Sequence, residues 1–267
     1  SLWTTVSTIA NRFIFNVTPS ILGAVSGSSQ IAIFGIASTL EAYAYIISGA
    51  INGMFLPKVS KILANKKDGE HVLPLMIKVG RIQYSIIGLI FIGFTIVGKE
   101  FIYLWMGKDF ELSYYCALLI MLPGVFRVPQ QIASITIIAM NQVKVQAYVY
   151  VIVAGLNIIF SSILSGYYGA LGAAISICLI YFIRLIIMNI IYRRVLNINI
   201  FSFIKDCYIK MSPPMLITLG IGLVINQFTS YSLKTFLIKG TFIVIFYILL
   251  LWKLSLNKYE KSLFKNF

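Results

Sequence analysis

Apolar residues in this chain come in long runs separated by short polar or charged stretches, with no two-residue alternation of the kind a barrel strand requires. A spanning helix takes about 20 mostly apolar residues. Eight runs reach that length, over residues 3–27, 31–56, 80–98, 113–140, 147–165, 168–192, 213–231 and 236–252. The last is the weakest, because Lys239 and Gly240 shorten its apolar stretch. Lipid admits only helices and closed barrels. The expected fold is therefore all-α, a polytopic transmembrane helix bundle of about eight spans. Between the sixth and seventh spans, "LNINIFSFIKDCYIK" (196–210) mixes Phe201, Phe203, Ile204 and Tyr208 with Lys205 and Lys210. That stretch reads either as a short helix in the headgroup region or as a plain connecting loop.

Composition points the same way. Hydrophobic residues are 59% of the 267 and charged ones 11%, against about 45–50% and 25% in ordinary globular domains. A soluble fold of this length could not hide so much apolar surface. The net charge of +14 raises a nucleic-acid reading, which the placement of the charge removes. Fifteen Lys and Arg residues fall in one set of loops and the C-terminal tail, and four (Lys99, Lys108, Lys234 and Lys239) fall on the opposite side. This asymmetry is a topology signal that puts both ends of the segment on the cytoplasmic side of the membrane. Cys116, Cys178 and Cys207 show neither disulfide nor metal spacing, and the lone His71 sits in a charged loop without a partner histidine. No metal site, cofactor or catalytic group is expected. The chain opens on Ser1 inside an apolar pattern, which suggests the C-terminal part of a longer protein.

Four charged residues remain inside the spans: Arg12, Glu41, Arg127 and Arg184. A charge at the bilayer centre costs about 2.5–3.5 kcal/mol even on lenient scales, so such groups usually face a cavity or a partner. Arg184, near Arg193, has a stem long enough to snorkel to the surface, and Arg12 lies close to the start of its span. Arg127 has no such escape, at about 20 Å from either end of its span. Arg127, Gln130, Gln131 and Ser134 follow the spacing of one helical face, and Pro123 and Pro129 predict a kink beside them. On the second span Ser38, Glu41, Tyr45, Ser48 and Asn52 form a polar stripe, and on the first Thr8, Arg12, Asn16 and Ser20 form another. The candidate substrate-cavity residues are thus Arg127, Gln130, Gln131, Glu41, Tyr45, Asn52, Arg12 and Asn16. The competing structural reading is a buried Glu41–Arg127 ion pair serving as glue. Gly166, Gly169 and Gly172 read as close-packing sites.

Three stretches carry a family resemblance. "GMFLPKVSKILANKKDGEHVLPLMIKVGRIQYSII" (53–87), "FIYLWMGKDFELSYYCALLIML" (101–122) and "YYGALGAAISICLIYFIRLIIMNIIYRRVLNI" (167–198) resemble, in this order, parts of polysaccharide flippases. Those proteins belong to the multidrug/oligosaccharidyl-lipid/polysaccharide exporter superfamily. The resemblance covers about residues 10–210 and implies helices seven to fourteen of a MATE-like fold. Residues 1–212 would form a six-helix C-terminal lobe, and residues 213–267 two added spans with a cytoplasmic tail. It implies flipping of a lipid-linked oligosaccharide of the O-antigen type on a polyprenyl diphosphate carrier, by alternating access in a prokaryotic cytoplasmic membrane. The implied partners are that lipid, the surrounding membrane lipids and an N-terminal lobe not present in this sequence. An ion-coupled multidrug exporter using Glu41 is the alternative within the superfamily. A membrane glycan polymerase or glycosyltransferase is disfavoured because the other acids and His71 sit in short loops.

Overall fold

The structure, a computed structural model, describes residues 2–49, 55–65, 69–229, 231–257 and 260–261. Among the described residues ten α-helices follow one another with short 3-10 and π turns between them: α1 Leu2–Ser26, α2 Ser28–Gly49, α3 Leu56–Asn65, α4 Leu73–Met106, α5 Glu111–Arg127, α6 Gln131–Ala139, α7 Val143–Val195, α8 Ile200–Phe203, α9 Lys210–Gln227 and α10 Leu233–Leu250. No strand occurs among the described residues.

Among the described residues, five helical stretches are long and apolar enough to cross a membrane. One of them, α7, holds 53 residues, about 80 Å at 1.5 Å per residue, far more than one crossing needs. It bends back at Gly169, whose φ of 56° and ψ of −133° lie in a region open to glycine. Its two halves, 143–168 and 170–195, then lie side by side: Ser176 Oγ reaches Asn157 Oδ1 at 3.4 Å. A Cβ on Gly172 would overlap the Leu164 carbonyl, so Gly172 packs closely, as expected. Gly166 has only ordinary contact, 3.5 Å to Val25. α1 (25 residues) and α2 (22 residues) are also of spanning length, so with α7 counted as two the long helices agree roughly with the eight spans expected from hydropathy.

Helix ends obey local rules. Gly107, at φ 91°, closes α4 with its N–H on Tyr103 O. Asn141 and Asn197 adopt positive φ after α6 and α7; asparagine tolerates that conformation best among side-chain-bearing residues. The core is the wrap of α7 around α1 and α5, with Leu22, Phe34, Ile120 and Ile177 fully buried.

Two expectations need correction. Residues 196–210 are not one connecting loop: 196–199 link α7 to Ile200–Phe203, which with a π turn, Ile204–Ile209, runs directly into α9. Phe203 and Cys207 are buried there, so the stretch is anchored by packing against the bundle. Lys239, counted above as an outside-loop charge, is a buried residue within α10 and pairs with Glu100 of α4. Its cation is neutralised inside the protein, so α10 begins at Leu233, earlier than the apolar pattern alone suggests.

Charged groups nonetheless gather at two places along α4. Arg81, Asp206, Ser255 and Glu260 meet at one, with Arg81 Nε 2.5 Å from Glu260 Oε1 and Nη2 donating to Ser255 O at 2.6 Å. Glu100, Lys99, Glu111 and Lys239 meet at the other.

Candidate functional site

Pro129 lacks a backbone N–H, so α5 cannot run through it. The helix stops at Arg127, a 3-10 turn covers Val128–Gln130, and α6 resumes at Gln131. Pro123 lies inside α5 without ending it. Near the break the Tyr208 hydroxyl donates to the Phe126 carbonyl at 2.5 Å, which keeps that oxygen paired at membrane depth.

The break holds Arg127 against α2. Its guanidinium carbon lies 4.5 Å from the centre of the Tyr45 ring and 5.5 Å from that of Tyr181. Arg184 stands over the same Tyr181 ring at 4.4 Å and over Tyr150 at 4.9 Å. Cations and aromatic faces therefore alternate from α2 through α5 into both halves of α7. Arg184 is 2% exposed, and its Nη1 donates to Asn11 Oδ1 at 2.7 Å. It does not snorkel. Tyr45 can lie flat there because position 124 is glycine, where a Cβ would overlap the Tyr45 hydroxyl.

Glu41 is buried in the same region yet makes no ion pair with either arginine, and its Oε1 has no hydrogen-bond partner. The ion pairs among described residues are Arg81–Glu260, Lys99–Glu111, Lys210–Asp206 and Lys239–Glu100. The glue reading of Glu41–Arg127 is not realised. Beside the arginines, a cavity of about 30 Å³ is lined by Arg127, Gln130, Ser134, Tyr150, Arg184 and Tyr192 with Leu185 and Met188. Ser134 Oγ and Tyr192 Oη share a hydrogen bond of 2.8 Å on its wall.

Of the sequence-level candidates, Glu41, Tyr45, Arg127 and Gln130 come together. Gln131 is half-buried and lies outside the cavity, because the 3-10 turn shifts the register of the face predicted for an unbroken helix. Asn52 lies outside the described residues, and the side chain of Ser48 is likewise not described. Arg12 and Asn16 are not in the cluster. With Thr8 and Ser20 they stand exposed along one side of α1. That side faces away from Ala10, Ile14, Thr18 and Leu22, which are buried against the bundle. A guanidinium and an amide on a surface otherwise fit for lipid call for an aqueous neighbour. The adjoining shoulder of α1 is apolar: Val6, Ile9 and Phe13 share a groove with Val151 and Gly155.

Arg184, Tyr181, Tyr150 and Asn11 are the residues that reading along the chain misses as a group. The only signal for them was an arginine inside a span. Among the described residues no cluster of His, Cys, Asp or Glu could hold a metal, and the cysteines are free and buried.

Fold and site together define a polytopic helical membrane protein with a charged, aromatic-lined interior. Among solved structures the chain is similar to the lipid II flippase MurJ in an inward closed conformation, with a TM-score of 0.70 and 18% identity over 93% of this chain and 51% of that one. The chain thus spans about half the length of the structure it matches. No protein-family model and no curated protein matches it.

Proposed function

We propose that this chain handles the headgroup of a lipid-linked oligosaccharide during its transfer across the cytoplasmic membrane of a prokaryote, as the C-terminal lobe of an O-antigen-type flippase. The carrying observation is the exposed row Thr8, Arg12, Asn16 and Ser20 on α1, a helix of spanning length, on a bundle whose fold matches half of a flippase structure. A sugar headgroup cannot enter hydrocarbon with its hydroxyls unpaired, so the path must be polar while the lipid tail stays in the bilayer. Arg12 offers a planar fork suited to a diphosphate, and Asn16 offers amide contacts to sugar hydroxyls. Arg127, with Gln130, stands behind Tyr45 in the interior cluster, apart from this row, and holds α5 against α2. A second, N-terminal lobe would close the groove from the other side, and rocking of the two would alternate access.

In this reading residues 1–212 form the transporting lobe and residues 213–267 an appended helix pair. The pair is tied to α4 by Asn226 Nδ2 on Ile96 O at 2.5 Å, by Tyr247 on Ser85 O at 3.1 Å and by the ion pair to Lys239. Both ends of the segment face the cytoplasm, as the loop charges favour.

Surface-glycan export in cells that depend on this protein tests the proposal. Arg12→Ala and Arg127→Ala, at normal expression, are expected to abolish export and to accumulate the lipid-linked intermediate. Wild-type export by both variants would overturn it.

A further inference from the structure

The interior cluster holds more positive charge than it neutralises. Arg127 and Arg184 face one carboxylate, Glu41, which bonds to neither. Arg127 Nε and Arg184 Nη2 are buried donors without a partner. Orphaned buried donors are rare, and a buried charge that stays unpaired is costly. Both arginines line the small cavity described above, together with Gln130, itself 3% exposed, and the hydroxyl-bearing side chains of Ser134, Tyr150 and Tyr192. At about 30 Å³ this space takes one or two water-sized particles. It is too small for a diphosphate or a sugar. Two guanidiniums against at most one carboxylate charge leave at least one positive charge for its occupant to balance.

We propose that the cavity between Arg127 and Arg184 is a binding site for one small monovalent inorganic anion of the chloride type. The ion accepts charge-assisted hydrogen bonds from the two guanidiniums and offsets the excess positive charge of the Glu41–Arg127–Arg184 set. It differs from the headgroup contact proposed at Arg12, which lies on the exposed face of α1. The site depends on the bundle's own helices α5, α6 and α7 and holds whether or not the chain flips a lipid.

Thermal unfolding of the purified chain in detergent, at fixed ionic strength with sodium chloride replacing sodium gluconate, tests the site. A saturable rise in Tm with chloride is expected, lost in Arg184→Gln and in Arg127→Gln and kept in Arg12→Gln. Equal Tm in both salts, or a saturable rise that survives both buried substitutions, overturns the proposal. Should the buried variants fail to fold, bromide-soaked crystals of the unaltered chain decide. An anomalous peak within hydrogen-bond reach of Arg127 and Arg184 is expected, and water alone in the cavity overturns it. Because Arg12→Gln is expected to impair export while keeping the chloride response, failure of one reading is separable from failure of the other.

Discussion

The guanidinium carbons of Arg184 and Arg127 lie 4.4 and 5.5 Å from the centre of a single ring, that of Tyr181. Tyr181 is 1% exposed and its hydroxyl has no hydrogen-bond partner, so the ring, and not the hydroxyl, does the holding. Tyr181→Phe removes an unpaired buried polar group and is expected to be neutral or slightly stabilising. Tyr181→Leu removes two desolvated cation–π contacts of about 0.5–2 kcal/mol each and leaves a gap besides. A loss of about 2–4 kcal/mol is expected in denaturant unfolding in micelles.

Gly124 and Tyr45 form a second dependence. A Cβ at 124 would meet the Tyr45 hydroxyl and lie 2.7 Å from Cζ, so the ring must leave its place over Arg127. Alanine in a helix interior normally gains about 1 kcal/mol over glycine. Here Gly124→Ala is expected to cost about 1–3 kcal/mol from overpacking. Tyr45→Ala should relieve that cost, and a double-mutant cycle on unfolding free energies would measure the coupling.

The α7 hairpin rests on Gly172, where an added Cβ would run into the Leu164 carbonyl and lie 2.9 Å from Ser165 N. Backbone cannot swing aside as a side chain does. Gly172→Ala is expected to lose most folded protein in size-exclusion profiles of solubilised membranes. Gly166→Ala, with Val25 at an ordinary 3.5 Å, should behave like wild type.

Glu100 and Lys239 are 1% and 5% exposed, and Thr235 donates to Glu100 Oε1 at 2.7 Å. Breaking a buried pair from one side typically costs about 3–5 kcal/mol, while replacing both partners with apolar residues is often near neutral. Glu100→Leu alone should therefore loosen α10, seen as faster hydrogen exchange across Leu233–Leu250. Adding Lys239→Leu should restore most of the protection.

The bundle was legible because lipid imposes length and polarity on every span. Proline chemistry also located the break beside Arg127. What did not show along the chain was pairing between distant helices. Lys239 looks like a boundary charge until Glu100, far off in sequence, comes beside it. Arg184 looks like a snorkelling side chain until Asn11 of α1 accepts its hydrogen bond. Gln131 fails as a cavity residue for a local reason: a 3-10 turn advances the helical register differently from the α-helix assumed in counting positions. The row on α1 was visible as periodicity, but only the fold shows it turned away from the packed interior.

Single cysteines on α1 give the most direct test that this row faces water. The native Cys116, Cys178 and Cys207 are buried and contribute little background. In membrane vesicles, an impermeant thiol reagent should modify Arg12→Cys and Asn16→Cys about as fast as a loop cysteine. It should leave Ile9→Cys and Phe13→Cys, on the apolar shoulder, nearly untouched. Equal protection of all four positions would place the row against lipid or protein and contradict the account.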